Sequence, residues 1–168
     1  MKDNHRIIEI FPVAIYLETI KNYTEKNILK HSENYFKNVL KSHPVIKPTL
    51  IGYQKIKTKN EREFFKDHNC YLSGIVFEDV DETDKIYFFK RKYQHIKPHV
   101  SMYNVYNSES WWFNVKKNGI VIFPSFLNYD FVSTTKRLKK INTFQIMFKG
   151  IGTSIVMDTI DKGEGVMI

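Results

Sequence analysis

The sequence predicts a mainly β protein, a sandwich or jelly roll that carries one helix near its N-terminus. Three observations point there. Short β-branched and aromatic runs recur roughly every 8–15 residues, separated by turn residues. Only one stretch, Tyr23 to Lys41, has helical periodicity. No linker, internal repeat or low-complexity tract divides the 168 residues. A single domain over 1–168 is therefore expected, with a core at about 7–157 and a loose tail at 158–168.

The elements follow in order. Ile7 to Leu17 is β-rich but interrupted by Pro12, which cannot donate to a ladder, so it predicts an edge strand or two short strands at a bend. From Tyr23 to Lys41, Ile28, Leu29, Tyr35, Phe36, Val39 and Leu40 form one helical face. Asn22 or Thr24 is the candidate N-cap, and Pro44 is the expected stop. Thr49 to Tyr53 reads as a short strand, and Asn60 to Asp67 as either a helical turn or a loop. Tyr71 to Phe77 is a clear strand, followed by an acidic turn over Glu78 to Thr83 and a strand at Ile86 to Phe89. His99 to Tyr106 alternates, and Trp111 to Val115 is another strand. Asn118-Gly119 is a turn signal. The strand from Gly119 is stopped by Pro124, a basic loop spans Lys136 to Lys140, and Ile141 to Phe148 alternates again. A last short strand is expected at Ser154 to Met157.

Composition narrows the function classes. No apolar run approaches the roughly 20 residues of a membrane-spanning helix, and the apolar run before Pro12 is too short for a signal-peptide core. The single cysteine, Cys70, excludes an intramolecular disulfide and a paired-cysteine zinc ribbon. A reducing compartment fits, and so does a virion. The formal net charge is +8, with short clusters at Lys90 to Lys92 and Lys136 to Lys140. Two readings stay open: a solvated lysine surface, and attraction to nucleic acid or another polyanion. No phosphate-cradling glycine loop or nucleophile constellation stands out. His95 and His99 share the spacing of a helical metal pair, but Pro98 between them argues against a helix.

Three segments carry a resemblance. Phe11-Pro-Val-Ala-Ile-Tyr16, Leu72-Ser-Gly-Ile-Val-Phe77 and Gly119-Ile-Val-Ile-Phe-Pro-Ser-Phe-Leu127 resemble the 2-oxoglutarate/Fe(II) oxygenase-like proteins of tailed phages, in order and rough spacing over residues 7 to 148. The resemblance implies a double-stranded β-helix, a jelly roll with the helix packed on its sheet. It also implies a metal held by a His-x-His or His-x-Asp pair before Leu-Ser-Gly and by a histidine after Phe-Pro-Ser. An Arg-x-Ser segment on the last core strand would hold 2-oxoglutarate.

Each of those positions departs from the family pattern. Phe65-Lys66-Asp67 stands where His-x-Asp belongs, leaving Asp67 and His68 as the nearest donors. Adjacent strand residues face opposite ways, so regular β structure cannot aim both at one metal. His68 and Cys70 have same-face spacing, an unusual pair for iron. Tyr129 replaces the distal histidine, and Lys140 and Asn142 replace Arg-x-Ser. Tyrosine binds iron only as phenolate, which its ordinary pKa near 10 disfavours, and lysine lacks the bidentate fork of arginine.

Concerted departure with a retained β scaffold predicts a catalytically degenerate family member. It would serve as a structural or interaction component, contacting other protein subunits of a phage particle, in the virion or the host cytoplasm. No cofactor is then expected. The alternatives are an active, divergent oxygenase using Fe(II), 2-oxoglutarate and the residues just named, and a basic nucleic-acid-binding module.

Overall fold

The computed structural model describes residues 13–41, 47–65, 70–89, 101–102, 108 and 110–149. These form two antiparallel sheets and one helix. The first sheet has the order β1-β7-β4-β9-β2, built from Tyr16–Thr19, Gly119–Pro124, Leu72–Asp79, Lys139–Lys149 and Lys47–Thr58. The second has the order β3-β8-β5-β6, built from Arg62–Phe65, Asn128–Val132, Lys85–Phe89 and Ser110–Asn114. The sequence-expected strands at β4, β5, β6, β7 and β9 are present, β8 is a further strand that the sequence reading does not name, and Asn118 takes the left-handed conformation at φ 61° that its Asn-Gly turn requires.

Two apolar layers hold the fold together. Ile75, Phe77, Val121, Phe123 and Ile141 of the first sheet meet Ile86, Phe88, Tyr129 and Phe131 of the second. On the opposite face of the first sheet, Leu72, Val76, Ile120, Ile122, Phe144 and Ile146 meet the helix. β4, β7 and β9 are therefore covered on both faces, which is why Leu72 to Phe77 is buried at every position rather than alternately.

Helix α1 spans Glu25–Asn34 and continues into a π-type turn at Tyr35–Val39. Thr24 is its N-cap, its hydroxyl accepting from the Asn27 amide at 3.4 Å, while the Asn22 carbonyl accepts from the Asn27 side chain. Ile28, Tyr35 and Phe36 are buried against the sheet. Phe36, Tyr71 and Phe148 form an aromatic contact set with centroids 5.0–6.2 Å apart. The Tyr35 hydroxyl donates to the Ala14 carbonyl at 3.0 Å, and burial pushes its pKa up to about 12.

Some sequence expectations change. The short strand at Thr49 to Tyr53 is the middle of a 12-residue strand, β2, with a bulge between Leu50 and Gly52. Asn60 to Asp67, expected as turn or loop, contains strand β3, which pairs with β8. Ser101 and Met102 form a bend within the expected His99 to Tyr106 strand. The remainder of that segment lies outside the described residues, as do Pro12, Pro44, Ser154 to Met157 and the tail.

Candidate functional site

The motif Gly119 to Val132 folds as β7, a corner and β8. The corner is a turn closed by the Leu127 amide donating to the Pro124 carbonyl at 3.1 Å. Ser125 fastens it to the start of β4: its amide donates to the Tyr71 carbonyl at 3.2 Å and its hydroxyl donates to the Cys70 carbonyl. Proline stops the ladder and serine supplies the tether, so Pro124-Ser125 has a structural cause at this corner.

Past the corner, Tyr129 points between the two sheets and is 2% exposed. Its ring meets Phe123 edge-on at 4.6 Å and Phe88 at 6.4 Å, and Phe88 meets Phe123 at 4.9 Å. Centroid spacings of this size are those of close aromatic packing. Asp130 turns to the outer face of the same strand, as alternation requires, and accepts from the Arg62 guanidinium through Nε at 2.8 Å and through Nη2. Cys70 is buried with its Sγ 3.4 Å from the Ser73 hydroxyl.

Asp67 and His68 lie outside the described residues. β3 ends just before them at Phe65, whose register partner is Tyr129. Lys140 and Asn142 are described, and the structure does not bring them to Tyr129. Ile141 faces the inter-sheet core, so Lys140 and Asn142 take the other face of β9, the face on which Phe144 and Ile146 meet the helix. Asn142 donates to Glu78 at 3.3 Å. The β9 residue level with Phe123 is Gln145, through their shared partner Ser73. At roughly 3.4 Å per residue, Lys140 is about 17 Å further along the strand.

A non-haem Fe(II) site needs three donors converging on one metal, with open positions beside them for cosubstrate and oxygen. The described members of that set do not fit this requirement. Tyr129 is enclosed by phenylalanine rings, and the anchor pair sits on the opposite face of its sheet. Among the described residues no group of three His, Cys, Asp or Glu side chains is placed to hold a metal ion.

A polar cluster that sequence reasoning missed lies at the other end of the two sheets. The turn after β4 carries Asp81 and Asp84, the loop before β9 carries Ser133, Thr135 and Arg137, and Lys139 opens β9. Lys139 is fully buried, donates to Thr135 Oγ1 at 2.7 Å and to the Asp81 carboxylate, and stands 3.5 Å from Asp84. Asp84, also fully buried, accepts from the Thr134 amide at 3.0 Å, the Ser133 hydroxyl at 3.2 Å and the Asp81 amide at 2.9 Å. Arg137 bridges Asp79 at 3.0 Å and Asp81 at 2.9 Å. In the sequence, Glu78 to Thr83 reads only as an acidic turn and Lys136 to Lys140 only as a basic loop; together they are one network. Arg137 and Lys139 of the basic loop are thereby neutralised internally.

This network sets an acid limit. Hydrogen bonds from Lys139, then Thr135, then Arg137 hold the Asp81 carboxyl far below the usual carboxylate range, and Arg137 lowers Asp79. A carboxyl depressed in the folded state contributes stability above its unfolded pKa, near 4, and loses it as pH falls through the folded value. The network's contribution to the melting temperature should therefore be steady from neutral pH to about 5 and fall progressively below about 4. Asp81→Asn should flatten that acid limb; an identical limb in the variant would show that the network does not carry it.

No family model matches the chain, and no curated protein matches it.

Proposed function

We propose that this chain is a jelly roll of the oxygenase-like type, used as a structural or protein-interaction component rather than as an oxygenase. The strand pairing supports the jelly-roll reading. β2 pairs with β9, β3 with β8, β4 with β7 and β5 with β6, a nested set that a long hairpin makes when it rolls into two sheets. The further pairs β4–β9 and β5–β8 join the nested pairs into the two sheets.

The observation that carries the non-catalytic reading is the Phe88–Phe123–Tyr129 packing. At the position where the resembled family places a metal-binding imidazole, this chain has a phenol enclosed by rings. Fold does not fix function, so a retained scaffold is free to serve another role.

Large apolar side chains left on the surface supply interface anchors: Leu17 on edge strand β1, Ile51 at the β2 bulge, Trp111 on edge strand β6 and Phe126 at the corner. The partners on this reading are other protein subunits, of a phage particle, in the virion or the host cytoplasm. The direct test is succinate release from 2-oxoglutarate by purified protein loaded anaerobically with Fe(II) and then exposed to air. The expected result is no turnover above the metal-only control. Stoichiometric, enzyme-dependent succinate would overturn the reading.

A further inference from the structure

The outer face of the second sheet carries a row of aromatic rings. Alternation along β5 sends Ile86 and Phe88 into the core and leaves Lys85, Tyr87 and Phe89 outside. Trp112 of β6 is the register partner of Tyr87, so it shares that face. The three rings form a continuous ridge. Trp112 lies 6.2 Å from Tyr87, and Tyr87 lies 6.4 Å from Phe89 with the planes only 17° apart.

Each end of the ridge carries a cation. The Lys85 ammonium sits 3.6 Å over the Trp112 ring, and the Arg62 guanidinium 5.6 Å over Phe89. The Asp130 carboxylate on this face is neutralised by Arg62.

We infer that this ridge is a binding platform for single-stranded nucleic acid. Three outward rings, Trp112 exposed and Tyr87 and Phe89 half-buried, with the Lys85 ammonium at one end, match what an unpaired strand presents: bases that stack on rings and phosphates that seek positive charge. A four-stranded sheet bearing outward aromatics is a known physical solution to this problem. The ring spacings exceed the roughly 3.4 Å rise of a stacked strand, so each ring takes one splayed base. A duplex keeps its base faces covered and gains only the electrostatic part. The net charge of +8 favours a polyanion over a neutral protein surface. The platform is independent of the inter-sheet packing that underlies the proposed function.

The test is fluorescence anisotropy of labelled dT12 and rU12, with the same-length duplex as comparator. Saturable binding is expected for at least one single strand and weaker binding for the duplex. Affinity should fall steeply with salt. Trp112→Ala and Tyr87→Ala should each weaken it roughly tenfold or more, and Trp112→Phe should retain most of it. Lys85→Gln should weaken binding and reduce the salt slope. Melting curves for each variant check that the sheet still forms. No saturable binding, equal affinity for duplex, or undiminished binding by folded Trp112→Ala would each overturn the inference. So would self-association of the protein that Trp112→Ala abolishes, because the ridge would then be an interface between copies of the chain.

Discussion

Replacing Lys139 with alanine should cost about 3–5 kcal/mol of folding stability, the usual cost of removing one partner from a buried ion pair. The ammonium is fully buried beside the equally buried Asp84 and donates to Asp81 and Thr135. Without it, Asp84 keeps its amide and hydroxyl donors but loses its nearest positive charge. The network also ties the turn after β4 to the loop before β9, so the loss should loosen both. Urea unfolding of the wild type and Lys139→Ala is the measurement. A difference under about 1 kcal/mol would place this pair among weak surface bridges.

Gly74→Val should also be strongly destabilising, for a steric reason. Gly74 sits mid-strand in β4, between β7 and β9, and the Phe144 ring of β9 lies directly over it. A Cβ there would come within 2.1 Å of Phe144 Cζ and 2.5 Å of Cε2. The ring is buried among Leu72, Val76, Ile122 and Ile146 beneath the helix, so it has little room to move. Overpacking of a filled core costs about 1–3 kcal/mol and occasionally more, and a β-branched residue at this contact belongs at the upper end. Gly74→Ala should lie lower in the same range. Pairing either variant with Phe144→Ala should recover part of the loss, because the clashing ring is gone. No recovery in the double variant would mean that glycine is required for another reason.

The parts of the fold legible in the sequence are those whose apolar pattern is set by the core. β4, β5, β7 and β9 carry the inter-sheet residues Ile75, Phe77, Ile86, Phe88, Val121, Phe123 and Ile141, and their runs are unmistakable. β3 was not legible because Asn60-Glu-Arg-Glu has no apolar alternation. Its Arg62 is held by Asp130, and Glu63 accepts from Thr58 and Asn60. Pairing with β8 makes it a strand, and that partner is far along the chain. The second half of β2, Gln54 to Thr58, was hidden in the same way, since an edge strand leaves polar residues in water. Helical periodicity puts Val39 and Leu40 on the buried face, but each is 37% exposed. The π-type turn adds a residue to the last turn, as the Leu40 amide bonding to the Tyr35 carbonyl shows, and rotates them off the sheet.

The site was less legible than the fold. The corner at Pro124-Ser125 and the outward turn of Asp130 follow from local chemistry and strand alternation, and both are present. Motif spacing alone points to Lys140 and Asn142. Spacing carries no information on parity, and parity puts them on the helix side of β9. The Lys139 network escaped because its acidic and basic halves are separated by some fifty residues of sequence and meet only when β4 and β9 pair. The aromatic ridge was visible as strand residues, but which face each ring takes depends on which residues the core claims.

The central claim is that Tyr129 is a core residue of a scaffold rather than a ligand in a working oxygenase. Anaerobic titration of Fe(II) and 2-oxoglutarate into the wild type and Tyr129→Phe, followed by visible absorption, tests it most directly. The claim predicts no saturable 2-oxoglutarate-dependent band in either protein. It also predicts that Tyr129→Phe loses no more than about 1.5 kcal/mol of stability, the scale of one hydrogen bond. A stoichiometric band in the wild type that Tyr129→Phe abolishes would contradict it.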